Sequence, residues 1–159
     1  MDKGQIRSSI QSFFFTAMME GWAGGGKETT IPDMPGFRAY SFIQSDLYLL
    51  DRFCVIPDSP RSAGTTTIWV NRISVWTMNY GGSYHKDAIR FLKGALLKNY
   101  EARHFVGGRG PLVYAEDALV YINQPRLNDF AKFEGCEKIF NGSNGNLLGF
   151  HDYWGMSLL

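Results

Sequence analysis

The sequence predicts an α+β domain, in which a mostly antiparallel, curved, multi-stranded sheet of hairpins and a meander is packed by two helices. Two segments place apolar side chains three to four residues apart, which is the spacing of one helix face. The other apolar segments are short runs with a period of two, as expected of strands. Short polar turns connect these runs, and such turns join antiparallel strands, whereas parallel strands need long crossovers.

Length and composition predict a single domain covering residues 1–159, since hydrophobic residues form 45% of the chain and charged residues 19%. The 16 Lys and Arg residues nearly balance the 15 Asp and Glu residues, and the net charge of +1 argues against a nucleic-acid partner. We expect no membrane span or signal peptide, and hence a cytoplasmic location. Cys54 and Cys136 lie far apart with no metal-binding spacing, so both are predicted to be reduced and buried.

The first half of the chain predicts a helix followed by a hairpin. Apolar residues at helical spacing indicate a helix over residues 5–20, with Gly21 as its natural end. A glycine-rich loop follows at residues 22–27. Runs rich in aromatic and branched residues then predict two strands, at residues 37–44 and 47–56, joined by a short polar turn.

A second hairpin is predicted for residues 65–70 and 73–80, around the two-residue connection Asn71-Arg72. Both faces of the later strand carry apolar residues, so we expect it to be central and covered on both sides. The spacing of the next apolar residues predicts a second helix over residues 84–98, with Ser83 capping its first amides.

The last third of the chain predicts a meander of short strands. Asn144-Gly145 is a strong hairpin signal between the last two of them. The predicted strands are residues 112–114, 118–123, 130–135, 137–140 and 147–153.

The end of the predicted central strand is the leading candidate site. Trp76, Asn79 and Tyr80 run into a Gly-Gly pair, where aromatic walls and one amide would suit a small ligand, with the glycine loop around Gly25 as the rim. The alternative interpretation is that Trp76 belongs to the core and Asn79 to a turn. Asp51 joins the candidates as a carboxylate in an apolar run, although a structural ion pair or an edge position would also explain it.

We therefore predict a non-enzymatic domain that binds a small molecule or a protein partner, without a cofactor or a metal. The first alternative is an enzyme whose acid or base comes from Asp51, His85, His151 and Tyr80, which requires two of them within hydrogen-bond reach in one cleft. The three histidines lack metal-binding spacing. The second alternative is a homo-oligomeric interaction module that pairs through an edge strand.

Two glycine-rich loops match phosphate- or anion-binding patterns only in part. Residues 21–27 have the glycine and lysine spacing of a P-loop, but Glu28 replaces its Ser or Thr, and a helix precedes the loop where the motif needs a strand. Residues 107–111 contain Arg109 among glycines, which suggests either an anion nest or a plain connection.

Several features in order resemble a bacterial family of domains of unknown function. They are Gly24-Gly25-Gly26, Pro35-Gly36 with Tyr40, Asp51, Val75 to Tyr80 with Gly81-Gly82, Phe91-Leu92, Arg109-Gly110-Pro111 and Phe133-Glu134-Gly135. The resemblance implies that some members stand alone and others follow a helix-turn-helix in proteins proposed to regulate transcription. This chain is similar to the stand-alone type, and the resemblance implies no activity, cofactor or catalytic residue.

Overall fold

The computed structural model describes residues 3–159, and residues 1 and 2 of the predicted domain lie outside that part. It contains two helices, α1 (Lys3–Met19) and α2 (Ile89–Ala102), and one antiparallel sheet. The α+β class with a curved, antiparallel sheet is therefore confirmed. The strands are β1 (Thr29–Thr30), β2 (Phe37–Gln44), β3 (Leu47–Val55), β4 (Arg61–Val70), β5 (Ile73–Tyr84), β6 (Val113–Glu116), β7 (Leu119–Asp129), β8 (Lys132–Asn141) and β9 (Leu147–Ser157).

The sheet has the strand order β1-β2-β3-β4-β5-β9-β8-β7-β6, so its two meanders meet where β5 pairs with the last strand. This pairing makes β5 the central strand, as the sequence predicts. The sheet is open, and its edges are the short strands β1 and β6. Within residues 3–159, no helix has both the length and the apolar content needed to cross a membrane.

The core lies on one face of the sheet, beneath the two helices. Phe14 of α1 is fully buried and packs against Trp76, whose ring stacks on those of Phe130 and Phe133. The opposite face is open to solvent, and Trp154 is about half exposed there. The expectation that β5 is covered on both sides is therefore wrong, because both helices pack on the same side of the sheet.

Strand β5 is longer than the sequence suggests, because its neighbours hold the Gly-Gly pair in the sheet. Gly82 pairs with Ser62 on β4 and with His151 on β9, and the strand continues to Tyr84. The predicted cap Ser83 therefore lies in a strand, and α2 begins later than predicted. A 3-10 turn over Lys86–Ala88 precedes α2, and the Nδ1 atom of His85 accepts a hydrogen bond there from the backbone N–H of Asp87 at 3.3 Å.

The two strands predicted over residues 130–135 and 137–140 are one continuous strand, β8. Buried and half-buried residues alternate without interruption from Phe133 to Ile139, so Gly135 and Glu137 both point to the inner face. In the sequence, the charge of Glu137 interrupts an apolar pattern. Its inward position is explained by its ion pair with the buried Arg109.

Candidate functional site

A cavity of about 640 Å³ lies between the helices and the inner face of β3, β4 and β5. This volume is within the range of small-molecule pockets, about 300–1,000 Å³. Exposed residues of the β3–β4 connection and of the segment before α2 mark its mouth. The walls are mostly apolar and comprise Met18, Trp22, Ala23, Phe53, Val55, Met78, Ile89, Leu92 and Leu96.

Asp51 forms the polar end of this cavity. It lies on β3 directly opposite Thr66 of β4, whose hydroxyl donates to the Asp51 Oδ1 atom at 2.9 Å. The hydroxyl of Tyr80, on β5, donates to the same oxygen at 2.7 Å. Tyr80 reaches across β4 because its partner there is Gly64, where a Cβ atom would come within 2.5 Å of the Tyr80 hydroxyl.

Burial raises the pKa of Asp51 above its ordinary value, although the two hydrogen bonds and the positive charge of Arg109 act in the opposite direction. Burial, together with the nearby Asp51 charge, also raises the pKa of Tyr80 well above its ordinary value. Tyr80 therefore keeps its proton and acts as a hydrogen-bond donor. Asp51 is the group at this end of the cavity whose protonation can change.

A second set of polar residues forms a row across the sheet, four residues along β4 from the Asp51–Thr66 pair. Ser62, Gly82, His151 and Glu137 occupy one register row across β4, β5, β9 and β8. The His151 ring lies over Gly82, where a Cβ atom would come within 2.6 Å of the His151 Cδ2 atom. The missing side chain at Gly82 therefore allows the His151 Nε2 atom to come within 3.3 Å of the Ser62 hydroxyl.

His151 is buried between aromatic rings and carries little charge at neutral pH. Its ring centre is 5.7 Å from that of Tyr80 and 4.7 Å from that of Tyr84. Burial, with repulsion from Arg109, lowers the pKa of His151 to about 3, while Glu137 opposes the shift. Its Nδ1 atom is enclosed and has no hydrogen-bond partner among residues 3–159.

An ion pair between Arg109 and Glu137 lies at the back of the cavity. Glu137 is fully buried and accepts from the Arg109 Nε atom at 3.0 Å and from its Nη2 atom, as well as from the hydroxyls of Tyr84 and Tyr121. Burial alone would raise the pKa of Glu137, but the Arg109 guanidinium and these hydrogen bonds hold it below its ordinary value. Glu137 is therefore ionised, and its charge neutralises that of Arg109.

The structure places the predicted site residues in different parts of the molecule. Tyr80 and Asp51 line the cavity. Trp76 belongs to the aromatic core, where its Nε1 atom donates to the Phe130 carbonyl at 3.0 Å, and Asn79 lies on the outer face of the sheet, where it accepts from Thr65. Gly25 lies in an exposed turn and does not line the cavity, although two other residues of its loop do. Asp51 has neither an ion pair among residues 3–159 nor an edge position.

The four candidate acid–base residues all line the one cavity. Asp51 and Tyr80 are within hydrogen-bond reach of each other, and His151 packs against Tyr80. His85 is exposed at the mouth, and its Nδ1 atom is 3.4 Å from an Asp87 carboxylate oxygen. Within the described residues, no three His, Cys, Asp or Glu side chains cluster closely enough to hold a metal ion.

Sequence reasoning missed two important site residues. The sequence suggests an anion nest or a plain connection around Arg109, yet residues 105–110 are buried and its guanidinium binds the protein's own Glu137. Glu137 could have been found from its inward position in the alternating pattern of β8. The two cysteines are free, as predicted, but half-buried rather than buried.

One comparison with known proteins places the chain in a family. The model described as a domain of unknown function, DUF5680, matches residues 59–156, which include Tyr80, Arg109, Glu137 and His151 but not Asp51. No curated protein and no solved structure matches this chain. Because the matched segment is more than half of the sequence, the chain belongs to the DUF5680 family of domains of unknown function.

Proposed function

We propose that this domain binds a small organic molecule in the cavity between its helices and its sheet. The observation that carries the proposal is the cavity itself, about 640 Å³ with apolar walls and one polar end. Ligand sites of this kind combine a hydrophobic enclosure with a few polar groups that fix the orientation of the ligand. Asp51, Tyr80 and His151 are among the polar residues that line it.

The residues of the cavity walls favour a ligand with an apolar or aromatic body. Phe53, Met78, Leu92 and Leu96 supply apolar contacts from both the sheet and α2. Trp22 adds a large aromatic surface, and the ammonium group of Lys93 lies 4.6 Å from the centre of its ring. This cation–π contact helps to hold the Trp22 ring in place.

A screen of a broad metabolite library by thermal shift, followed by calorimetry of the hits, tests the proposal. Val55→Phe adds an aromatic ring to the cavity wall and should abolish binding of those hits. Ile43→Phe is the matched control, because Ile43 is also a branched residue of a strand but is 70% exposed on β2. A library without hits, or hits that bind equally to the Val55→Phe variant, would contradict binding in this cavity.

The second candidate function is acid–base catalysis, which the Asp51–Tyr80 pair favours. A buried carboxyl with a raised pKa in an apolar cavity can exchange a proton with a bound molecule. Binding comes first because the cavity and its polar end suffice for it, whereas catalysis also needs a reactive molecule held against Asp51.

Recovery of the bound molecule separates these two functions. A binding domain returns each hit chemically unchanged after prolonged incubation. An enzyme converts or isotopically exchanges it, and Asp51→Asn should then remove the conversion even at hit concentrations that saturate the variant. Deuterium exchange into the hits, followed by mass spectrometry, provides the measurement.

A protein partner and a homo-oligomer formed through an edge strand stay predictions of the sequence. Both edges of the sheet are short, since β1 has two residues and β6 has four. Light scattering tests the oligomer, because a monomer at high concentration would contradict it. Three other expectations also stay predictions: a bacterial origin, a family that includes proteins with a helix-turn-helix, and a cytoplasmic location.

A further inference from the structure

The ionisable groups buried around the cavity do not balance in charge. Asp51, Arg109 and Glu137 are the buried Asp, Glu, Lys and Arg side chains within residues 3–159. Arg109 is engaged by Glu137 through two hydrogen bonds, and these two charges cancel. An ionised Asp51 would therefore leave one uncompensated negative charge at the end of the cavity.

Other cations near the cavity are not placed to compensate Asp51. Arg38 pairs with Glu28 at 3.1 Å, and Arg61 and Lys86 are exposed at the mouth, where water solvates them. An isolated buried carboxylate is costly unless it is paired or protonated. The end of the cavity thus favours a positively charged group or a proton.

The hydrogen bonds of Asp51 leave one of its oxygens available. The donors Thr66 and Tyr80 both bind Oδ1, and no described residue donates to Oδ2. Within residues 3–159, the fully enclosed side-chain atoms without a hydrogen-bond partner are the Arg7 Nε and His151 Nδ1 atoms. The Asp51 Oδ2 atom is not one of them, so it is not fully enclosed. The free oxygen is thus accessible on a residue that lines the cavity.

We propose that the ligand is an apolar amine whose ammonium group donates a hydrogen bond to the Asp51 Oδ2 atom while its apolar body contacts Met78, Leu92 and Leu96. This inference rests on the proposed small-molecule binding and specifies the chemistry of that ligand. Tyr80 and Thr66 orient the carboxylate by holding its other oxygen, so the position of the free oxygen is fixed before the ligand arrives.

Matched compounds that differ only in their polar group test the charge preference. Tryptamine and 2-phenylethylamine are compared by calorimetry at pH 7 with the alcohols tryptophol and 2-phenylethanol and with the acids indole-3-propionate and 3-phenylpropionate. The amines should bind about tenfold or more tightly than the alcohols, because a charge-assisted hydrogen bond is about twice as strong as a neutral one. The acids should bind most weakly.

Asp51→Asn keeps the shape of the side chain and removes its charge. We expect it to weaken amine binding by about tenfold or more and to change alcohol binding by less than about threefold. Asp58→Asn is the control, because this carboxylate also lines the cavity but is exposed at the mouth, and it should leave amine binding unchanged. If Asp51→Asn does not fold, the amine-to-alcohol ratio of the unaltered protein decides by itself.

The outcomes separate this inference from the proposed function. Alcohols or acids that bind as tightly as the amines would overturn the amine assignment and leave a small-molecule site in place. Equal loss of amine binding in the Asp51→Asn and Asp58→Asn variants would also overturn it. Failure of all six probes and of the whole metabolite library would overturn both proposals.

Discussion

Glu137→Gln isolates the energetic role of the ion pair behind the cavity. The substitution preserves the volume of the side chain and an oxygen that can accept a hydrogen bond, but it removes the negative charge. Arg109, which is 6% exposed, would then remain a buried cation without its carboxylate. Burial alone would lower the pKa of Arg109, but Glu137 together with the neighbouring tyrosines raises it well above its ordinary value. Without Glu137 the guanidinium still keeps its proton at pH 7, because an arginine side chain is not deprotonated in proteins.

The expected loss of stability is large. Removing one partner of a buried ion pair costs about 3–5 kcal/mol in the free energy of unfolding. A domain of this size has about 5–15 kcal/mol in total, so the variant should lose a substantial part of its stability. At roughly 2–4 °C per kcal/mol for a chain of this length, the melting temperature should fall by about 6–20 °C.

Urea denaturation at pH 7, followed by tryptophan fluorescence, measures this loss, since buried Trp76 reports on the core. The matched control is Glu134→Gln on the same strand. Glu134 pairs with Arg126 at 3.2 Å, but both side chains are exposed, so its loss should cost no more than about 1 kcal/mol. If the two variants differ by less than about 1 kcal/mol, the ion pair does not have the role assigned to it.

Two further perturbations probe the His151 row. Between pH 6.5 and 3 the unfolded chain protonates His151 while the folded protein does not, so stability should fall with decreasing pH by up to about 1.4 kcal/mol per unit. Urea denaturation from pH 7 to 4.5 should show a shallower fall for His151→Gln, and equal slopes would refute the assignment. Gly82→Ala places a Cβ atom 2.0 Å from the Phe150 carbonyl oxygen and should cost about 1–3 kcal/mol. Gly81→Ala, whose Cβ atom is 3.3 Å from its nearest contact, should cost clearly less in the same assay, and similar losses would contradict the close approach over Gly82.

The parts of the fold that the sequence predicts well are those with local signals. Helix α1 and the hairpin of β2 and β3 lie within one or two residues of their predicted bounds, because hydrophobic period and turn residues act over a few positions. The predicted ends of β5 and β8 are wrong for the opposite reason. Glycine and glutamate disfavour a strand locally, but pairing with neighbouring strands keeps Gly82 and Glu137 in the sheet.

The candidate site was predictable only in part. Asp51 is recognisable as a charge within an apolar run, and Tyr80 as a polar aromatic residue near the end of a central strand. Trp76 and Asn79 are close to Tyr80 in sequence, but Asn79 points to the other face and Trp76 lies in the aromatic core. Arg109 has no local signal that distinguishes a buried guanidinium from one in an exposed loop.

The sequence by itself determined the α+β class and the order of helices and hairpins, since these follow from periodicity and from short connections. Only the tertiary structure decided which side chains meet. Asp51, Tyr80 and Thr66 come from three strands, and Arg109 reaches Glu137 from a loop that is distant in sequence. Sheet register and helix packing create these contacts. Neither can be recognised from single positions in the sequence, because the pairing energy depends on two segments together.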